Sequence, residues 1–250
     1  MSTMTFTRMS EFRRPLVIAV LIALACYAPF QLLPFRTFQL AMALVYAVAL
    51  LGLNLLVGQA GQISLGHGAF FAAGAYTAAV LVDRWDVPHY ATLPIAALVA
   101  FVLGFALGIP ALRLRGLYLA LVTLAIAIFT VPLLKRFESV TGGSMGLTLS
   151  KPAPPSWSGL AEDQWLYFLA LATALLAGLV VGGLGSLWGP LLGGLFVMYV
   201  PSLAQDVNQA APGVVFGLFI IAVMYLAPTG LAGLPGRSAH LFRKGKNNAH

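Results

Sequence analysis

The sequence predicts an all-α, polytopic membrane protein with about eight transmembrane helices, and three observations lead to that fold class. The 250 residues are 60% hydrophobic and 8% charged, and their mean hydropathy is +0.92. A soluble domain carries about 25% charged residues, and a globule of this size has too little interior to hide so much apolar surface. The charged residues are grouped between long uncharged segments, most of them long enough for one or two spans of ~20 residues.

The charged residues also divide the chain into its predicted parts. The predicted spans lie in the uncharged segments 15–35, 37–82, 87–112, 116–134, 164–205 and 213–228, with two spans each in 37–82 and 164–205. The segment 135–163 is rich in Gly, Pro and Ser, which is typical of an ordered loop outside the bilayer. We therefore expect a cytoplasmic N-terminal segment at 1–14, a transmembrane domain at 15–236 and a basic cytoplasmic tail at 237–250.

The charge distribution predicts the orientation of these spans. With eight spans, the side that holds both termini carries nine of the 14 Lys and Arg residues and one of the seven acids, whereas the opposite side carries five basic residues and six acids. Basic residues concentrate on the cytoplasmic side of membrane proteins. Both termini are therefore predicted to be cytoplasmic in the cell (inner) membrane. The net charge of +7 comes from loops and tails, so nucleic acid is not an expected partner.

The segment 52–82 is the most informative part of the chain. It has no Asp, Glu, Lys or Arg, yet it carries five polar side chains that are candidates for a substrate pathway: Asn54, Gln59, Gln62, Ser64 and His67. The glycine-rich stretch Gly58–Ser64 predicts an irregular junction between two helices, because its unpaired backbone groups must face protein or water. The alternative for His67 is a neutral imidazole that donates to a carbonyl group freed by the neighbouring glycines.

Glycines at helical spacing predict close contacts between helices. Small residues four positions apart let backbones approach closely in lipid. The candidate packing residues are Gly66, Gly68, Gly74, Gly104, Gly108, Gly185, Gly189 and Gly193. A glycine-rich phosphate loop is an inferior interpretation of 182–186, because no lysine follows it and no strand precedes it.

Residue patterns for catalysis and for cofactors are missing from the sequence. It has no H-x-x-x-H motif, no nucleophile set and a single cysteine, so we expect no catalytic residues, no metal ligands, no cofactor and no enzymatic activity. No predicted span contains a carboxylate. This disfavours an ion-coupled transporter, which usually needs an ionisable group near the middle of the membrane.

Several motifs resemble those of one transporter family. They are GLNLLVG at 52–58, GQISLGHGAFF at 61–71, LRGLYLA at 114–120, TGGSMG at 141–146, GGLGSLWGP at 182–190 and APTGL at 227–231. Together they resemble branched-chain amino-acid ABC transporter permeases, in particular the M-type subunit. The resemblance implies a permease domain that pairs with a sister permease, two cytoplasmic ATP-binding subunits and a periplasmic substrate-binding protein.

The chain departs from the family pattern near Gly178. There the resemblance implies a long cytoplasmic segment with a helix that docks on the ATPase, followed by another span, but Gly178 runs directly into the motif at 182–190. We interpret this as an internal deletion that removes the docking loop and places coupling in doubt. The alternatives are a transport-inactive or structural membrane protein derived from such a permease, and a urea or short-amide permease.

Overall fold

The chain is helical throughout most of its described length. The structure, a computed structural model, describes residues 19–62, 64–111, 113–114, 116–181 and 188–205, and it contains no β-strand within them. The helices are, in chain order, α1 (Ala19–Gln31), α2 (Pro34–Asn54), α3 (His67–Trp85), α4 (His89–Ala111), α5 (Leu117–Arg136), α6 (Glu138–Thr141), α7 (Glu162–Val181) and α8 (Trp188–Gln205). A π-helix, Leu55–Gln59, continues α2.

The apolar helices confirm the predicted fold class. Four helical segments in the described part of the chain are long and apolar enough to cross a membrane: Pro34–Val57, His89–Ala111, Leu117–Arg136 and Glu162–Val180. Helices α1 and α8 contribute shorter apolar stretches, and α3 reaches 19 residues but carries Asp83 and Arg84 near its end. The count of eight spans stays a prediction, because the segment 213–228 lies outside the described residues.

Local sequence explains where several helices begin and end. Pro34 opens α2, at the position where a missing N–H has no cost. Helix α7 begins with Glu162 and Asp163, whose charges complement the positive end of the helix dipole. The Gln164 side chain reaches back to accept a hydrogen bond from the Ala161 N–H at 3.1 Å, as in a capping box.

The structure divides into two compact units, which are described separately. The first contains the described residues of Met1–Leu51 and Leu166–His250, and the second contains those of Gly52–Trp165. The core of the first unit lies between α2 and α7, where four small or medium side chains and one aromatic ring pack around an alanine of α2. It consists of Ala41, Leu44, Tyr167, Ala170, Leu171 and Ala174.

Specific contacts hold α1 to α7 in the first unit. The Tyr167 hydroxyl donates a hydrogen bond to the Ala25 carbonyl oxygen at 2.9 Å. The rings of Phe30 and Phe168 lie 6.0 Å apart in a tilted arrangement, within the range favoured by aromatic pairs. Helix α1 is therefore fixed by both a polar and an apolar contact.

Two glycines bring α8 close to α2 in the same unit. A Cβ atom added at Gly193 would lie 2.8 Å from Cδ1 of Leu50, which is the movable end of a side chain. At Gly194 an added Cβ would overlap the Ala43 carbonyl oxygen and would lie 2.9 Å from the Ala47 amide nitrogen. The predicted packing residue Gly193 thus lies at a helix contact, and its neighbour Gly194 makes the closer approach.

A buried amide also joins α2 and α8. The Gln39 side chain is 3% exposed, and its Nε2 donates a hydrogen bond to the Ser202 hydroxyl at 3.1 Å. Its Oε1 is buried without a hydrogen-bond partner among the described residues. This pair therefore fixes the register of the two helices more than it stabilises them, since one polar atom remains unsatisfied.

The second unit is built on α3, α4 and α5. Helices α3 and α4 pack along one another and are joined by residues 86–88, where Asp86 ends α3 in the left-handed conformation with φ of 52°. Most large side chains of α4 are exposed, including Phe101 and Phe105. Apolar exposure of this extent suits a helix that faces lipid or another membrane helix.

A compact turn follows α6 at the motif TGGSMG, residues 141–146. The Thr141 hydroxyl lies within hydrogen-bond distance of the Leu134 and Phe137 carbonyl oxygens, which accept from it. It also accepts a hydrogen bond from the Gly143 N–H at 3.3 Å. Gly142 has φ of 73°, and a side chain there would collide with the Gly146 backbone. The segment 135–163, predicted as a loop, therefore starts with the end of α5 and the short helix α6, and the turn that requires glycine follows them.

Candidate functional site

The site begins at the irregular end of α2. The Ala60 N–H donates to the Leu55 carbonyl oxygen and the Gln62 N–H to the Leu56 carbonyl oxygen, both at 3.0 Å, so the last turn is wider than an α-helical turn. Gly61 follows with φ of 62°, which reverses the chain. π-Helical turns interrupt the regular α-helical ladder and often occur at functional sites. The predicted glycine-rich junction is confirmed, and its irregularity starts at Leu55.

The junction is anchored on α5 by one threonine. The Leu65 N–H donates a hydrogen bond to Thr123 Oγ1 at 3.0 Å, and that hydroxyl donates in turn to the Ala120 carbonyl oxygen at 3.0 Å. A Cβ added at the buried Gly66 would lie 2.7 Å from the Thr123 carbonyl oxygen. The junction therefore approaches α5 so closely that only glycine fits there.

His67 opens α3 against another glycine. A Cβ at Gly52, on the last part of α2, would lie 3.1 Å from Cε1 and 3.5 Å from Nε2 of the His67 ring. The ring is partly exposed and also borders the cavity described below. Gly52 thus gives the imidazole room between the end of α2 and the start of α3.

A cavity of about 490 Å³ lies within the second unit, between the junction, α3, α4 and α5. The junction and α3 line it with Leu56, Gln62, Ser64, His67 and Phe70. Helix α4 contributes residues between Ala100 and Ala111, and α5 contributes residues between Leu119 and Ile126. Its volume falls in the range of small-molecule pockets, roughly 300–1,000 Å³.

The cavity lining is apolar apart from four side chains. Gln62, Ser64, His67 and Thr123 supply hydrogen-bond donors and acceptors, and no Asp, Glu, Lys or Arg is among the described lining residues. Amide and hydroxyl groups can bind a small solute by hydrogen bonds without the strong attraction of a full charge.

The structure brings three of the five predicted pathway residues together: Gln62, Ser64 and His67. Asn54 is exposed on α2 and is not among the cavity-lining residues. Gln59 ends the π-helix, and its side chain lies outside the description. Sequence reasoning missed Thr123. A threonine hydroxyl in the largely apolar segment 117–131 was the available signal, although Thr130, with the same signal, donates to the Ile126 carbonyl oxygen of its own helix.

The predicted packing glycines occupy different surroundings. Gly66 makes the close contact with α5, whereas Gly68 and Gly74 have no heavy atom within 4 Å of an added Cβ. Gly104 and Gly108 also have open space beside them, and both line the cavity. Gly189 is exposed in the first turn of α8, and Gly185 lies outside the described residues. Among the described residues, no group of three or more His, Cys, Asp or Glu side chains could hold a metal ion.

The membrane-capable helices and the cavity together define a multi-pass helical membrane protein with a pocket of small-molecule size. Its family is defined by sequence: the chain belongs to the family described as branched-chain amino acid transport system / permease component, whose family model matches residues 36–179. This match includes every residue that lines the cavity.

Two curated relatives match this chain over 144 residues each. One is the protein named "High-affinity branched-chain amino acid transport system permease protein LivM" from Escherichia coli strain K12, which is 39% identical over 144 residues. The protein of the same name from Salmonella typhimurium strain LT2 is 38% identical over 144 residues. Each match covers 57% of this chain and 34% of the relative, so the matched region spans about a third of the relatives' length. No solved structure gives a significant match.

Proposed function

We propose that this chain is a membrane-spanning subunit of an ABC importer for branched-chain or related small neutral amino acids. The observation that carries the proposal is the cavity at the junction, where Gln62, Ser64 and His67 meet Thr123 inside the region matched by the family. The apolar walls suit an aliphatic side chain, and the four polar groups suit the amino-acid backbone. The lack of charged lining residues favours passage over tight binding.

The proposal includes partners and an orientation. By analogy with the family, the permease domain at 15–236 pairs with a sister permease, receives its solute from a periplasmic substrate-binding protein and is driven by two cytoplasmic ATP-binding subunits. The segment 1–14 and the basic tail at 237–250 lie in the cytoplasm, as the charge distribution favours. The chain itself performs no chemical step in this scheme.

The departure from the family pattern near Gly178 raises a second candidate function. In this alternative the chain is a derivative that inserts into the membrane without transporting. The family match ends at residue 179, next to the position where the sequence predicts the internal deletion. An ATPase can drive a permease only if it binds the permease's conformations with different affinity, which requires a docking surface. We infer that the shortened chain depends on its sister permease for coupling to ATP hydrolysis.

Uptake of labelled leucine tests the proposal against both alternatives. Cells without their own branched-chain uptake would express the sister permease, the ATP-binding subunits and the binding protein, with and without this chain. The proposal expects uptake only with the chain, competed by isoleucine and valine. Membrane insertion without uptake would favour the inactive derivative, and uptake competed by urea or acetamide would favour the short-amide permease.

A further inference from the structure

Gly104 and Gly108 lie about one turn apart on α4, and both line the cavity. Their spacing is that of a helix-packing motif, yet no heavy atom lies within 4 Å of a Cβ added at either position. At Gly66, by contrast, an added Cβ would lie 2.7 Å from a carbonyl oxygen of α5. Within the described residues, the two glycines of α4 therefore add volume to the cavity instead of bringing two backbones together.

The glycines face a cavity whose polar groups are gathered in one region. Gln62, Ser64 and His67 come from the junction and the start of α3, and Thr123 joins them because it accepts the Leu65 N–H. Every other lining residue of α4 and α5 is apolar. A solute with one polar part and one aliphatic part would thus find matching surroundings for both parts.

We propose that Gly104 and Gly108 are specificity-determining residues of the cavity. Their missing side chains make room for the branched aliphatic part of the transported molecule, whose polar groups face the junction. This inference rests on the proposed function, because it assumes that the solute passes through the cavity. The competing explanation is a close contact with a helix of the sister permease, for which glycines at this spacing are also suited.

Cysteine labelling tests the cavity without any transport activity. The single native cysteine, Cys26, is first replaced (Cys26→Ala), and Gly104→Cys, Gly108→Cys and Ala106→Cys are then made separately in the full chain. Ala106 is the matched control, since it is exposed on the same helix and does not line the cavity. A small, charged methanethiosulfonate should modify the two glycine positions at least about tenfold faster than Ala106→Cys, because a charged group enters hydrocarbon only at large cost.

Uptake then tests specificity in the complete complex. Gly104→Val and Gly108→Val should lower leucine uptake roughly tenfold more than alanine uptake, since a difference of one or a few methylene groups in an apolar pocket changes discrimination by about that factor or more. Ala106→Val should leave the ratio of leucine to alanine uptake unchanged. Co-purification with the sister permease should be the same for all three variants.

The outcomes separate this inference from the proposed function. Equal loss of leucine and alanine uptake together with lost co-purification would overturn the inference in favour of a helix contact. Labelling of the glycine positions as slow as that of Ala106→Cys would overturn it as well. A wild-type complex that transports no amino acid would contradict the proposed function, and the labelling rates would still decide whether the two glycines border a water-accessible cavity.

Discussion

Thr123 anchors the polar junction to α5. Its hydroxyl accepts a hydrogen bond from the N–H of Leu65, a residue that lies outside the regular helices. The same hydroxyl donates a hydrogen bond to the Ala120 carbonyl oxygen. The sequence gives little warning of this role, because a threonine in a membrane helix commonly bonds a carbonyl of its own preceding turn. Thr123 makes both bonds, and only the fold reveals the second one.

Removing the Thr123 hydroxyl should lower the stability of the folded chain. Thr123→Val keeps the shape of the side chain and removes the acceptor for the Leu65 N–H, so we expect a loss of about 1 kcal/mol in stability. Thermal melting of the purified chain in detergent measures this loss. Thr123→Ser retains the hydroxyl and should melt near the wild type. Equal melting of Thr123→Val and the wild type would contradict the anchoring role.

At the scale of elements, sequence reasoning located the junction and missed its start. Glycines and polar side chains inside an uncharged segment predict the break at 58–64, since such a backbone cannot face lipid. The π-helix begins earlier, at Leu55, where the apolar residues Leu55 and Val57 read as ordinary helix. Glycine spacing likewise identifies helix faces that carry small residues. The spacing alone cannot distinguish a close contact, as at Gly66, from open space, as at Gly74.

A pair of glycine substitutions, one just before α3 and one in its middle, tests this distinction. Gly66→Ala should destabilise the chain by roughly 1–3 kcal/mol, because its Cβ would press against the Thr123 carbonyl oxygen, which cannot move freely. Gly74→Ala, in the middle of α3 with open space beside it, should stabilise the chain by about 0.5–1 kcal/mol. Melting temperatures in detergent compare the two.

The reverse order of melting temperatures would mean that the contact with α5 is misplaced. A third result would be informative about partners. If Gly74→Ala leaves the isolated chain intact but prevents co-purification with a sister permease, then the predicted close contact at Gly74 lies between chains.

At the scale of the whole molecule, composition and the grouping of charges were sufficient to predict a helical multi-pass membrane protein. Long uncharged segments correspond to helices such as α4 and α5, because a segment without charges in a membrane must satisfy its own backbone. The sequence could not predict which polar side chains would share a cavity, since Thr123 and Ser64 are far apart in the chain. That juxtaposition arises only from packing.

Orientation is the testable prediction at this scale. In a Cys26→Ala background, Ser150→Cys in the loop before α7 should react with a membrane-impermeant thiol reagent added outside the cell. Ser238→Cys in the basic tail should react only after the membrane is opened, because the excess of Lys and Arg favours the cytoplasm for both termini. Reaction of both cysteines from the same side would contradict eight spans with cytoplasmic ends.

Blocking the cavity at the junction tests whether this cavity forms part of the solute pathway, as we propose. Ser64 lines the cavity and is partly exposed to it. Ser64→Cys in the Cys26→Ala background would be assembled with its partner subunits, and leucine uptake would be measured before and after modification by a bulky thiol reagent. We expect uptake by the unmodified variant, near-complete loss after modification and no effect of the reagent on the Cys26→Ala parent. Undiminished uptake by the fully modified variant would contradict it.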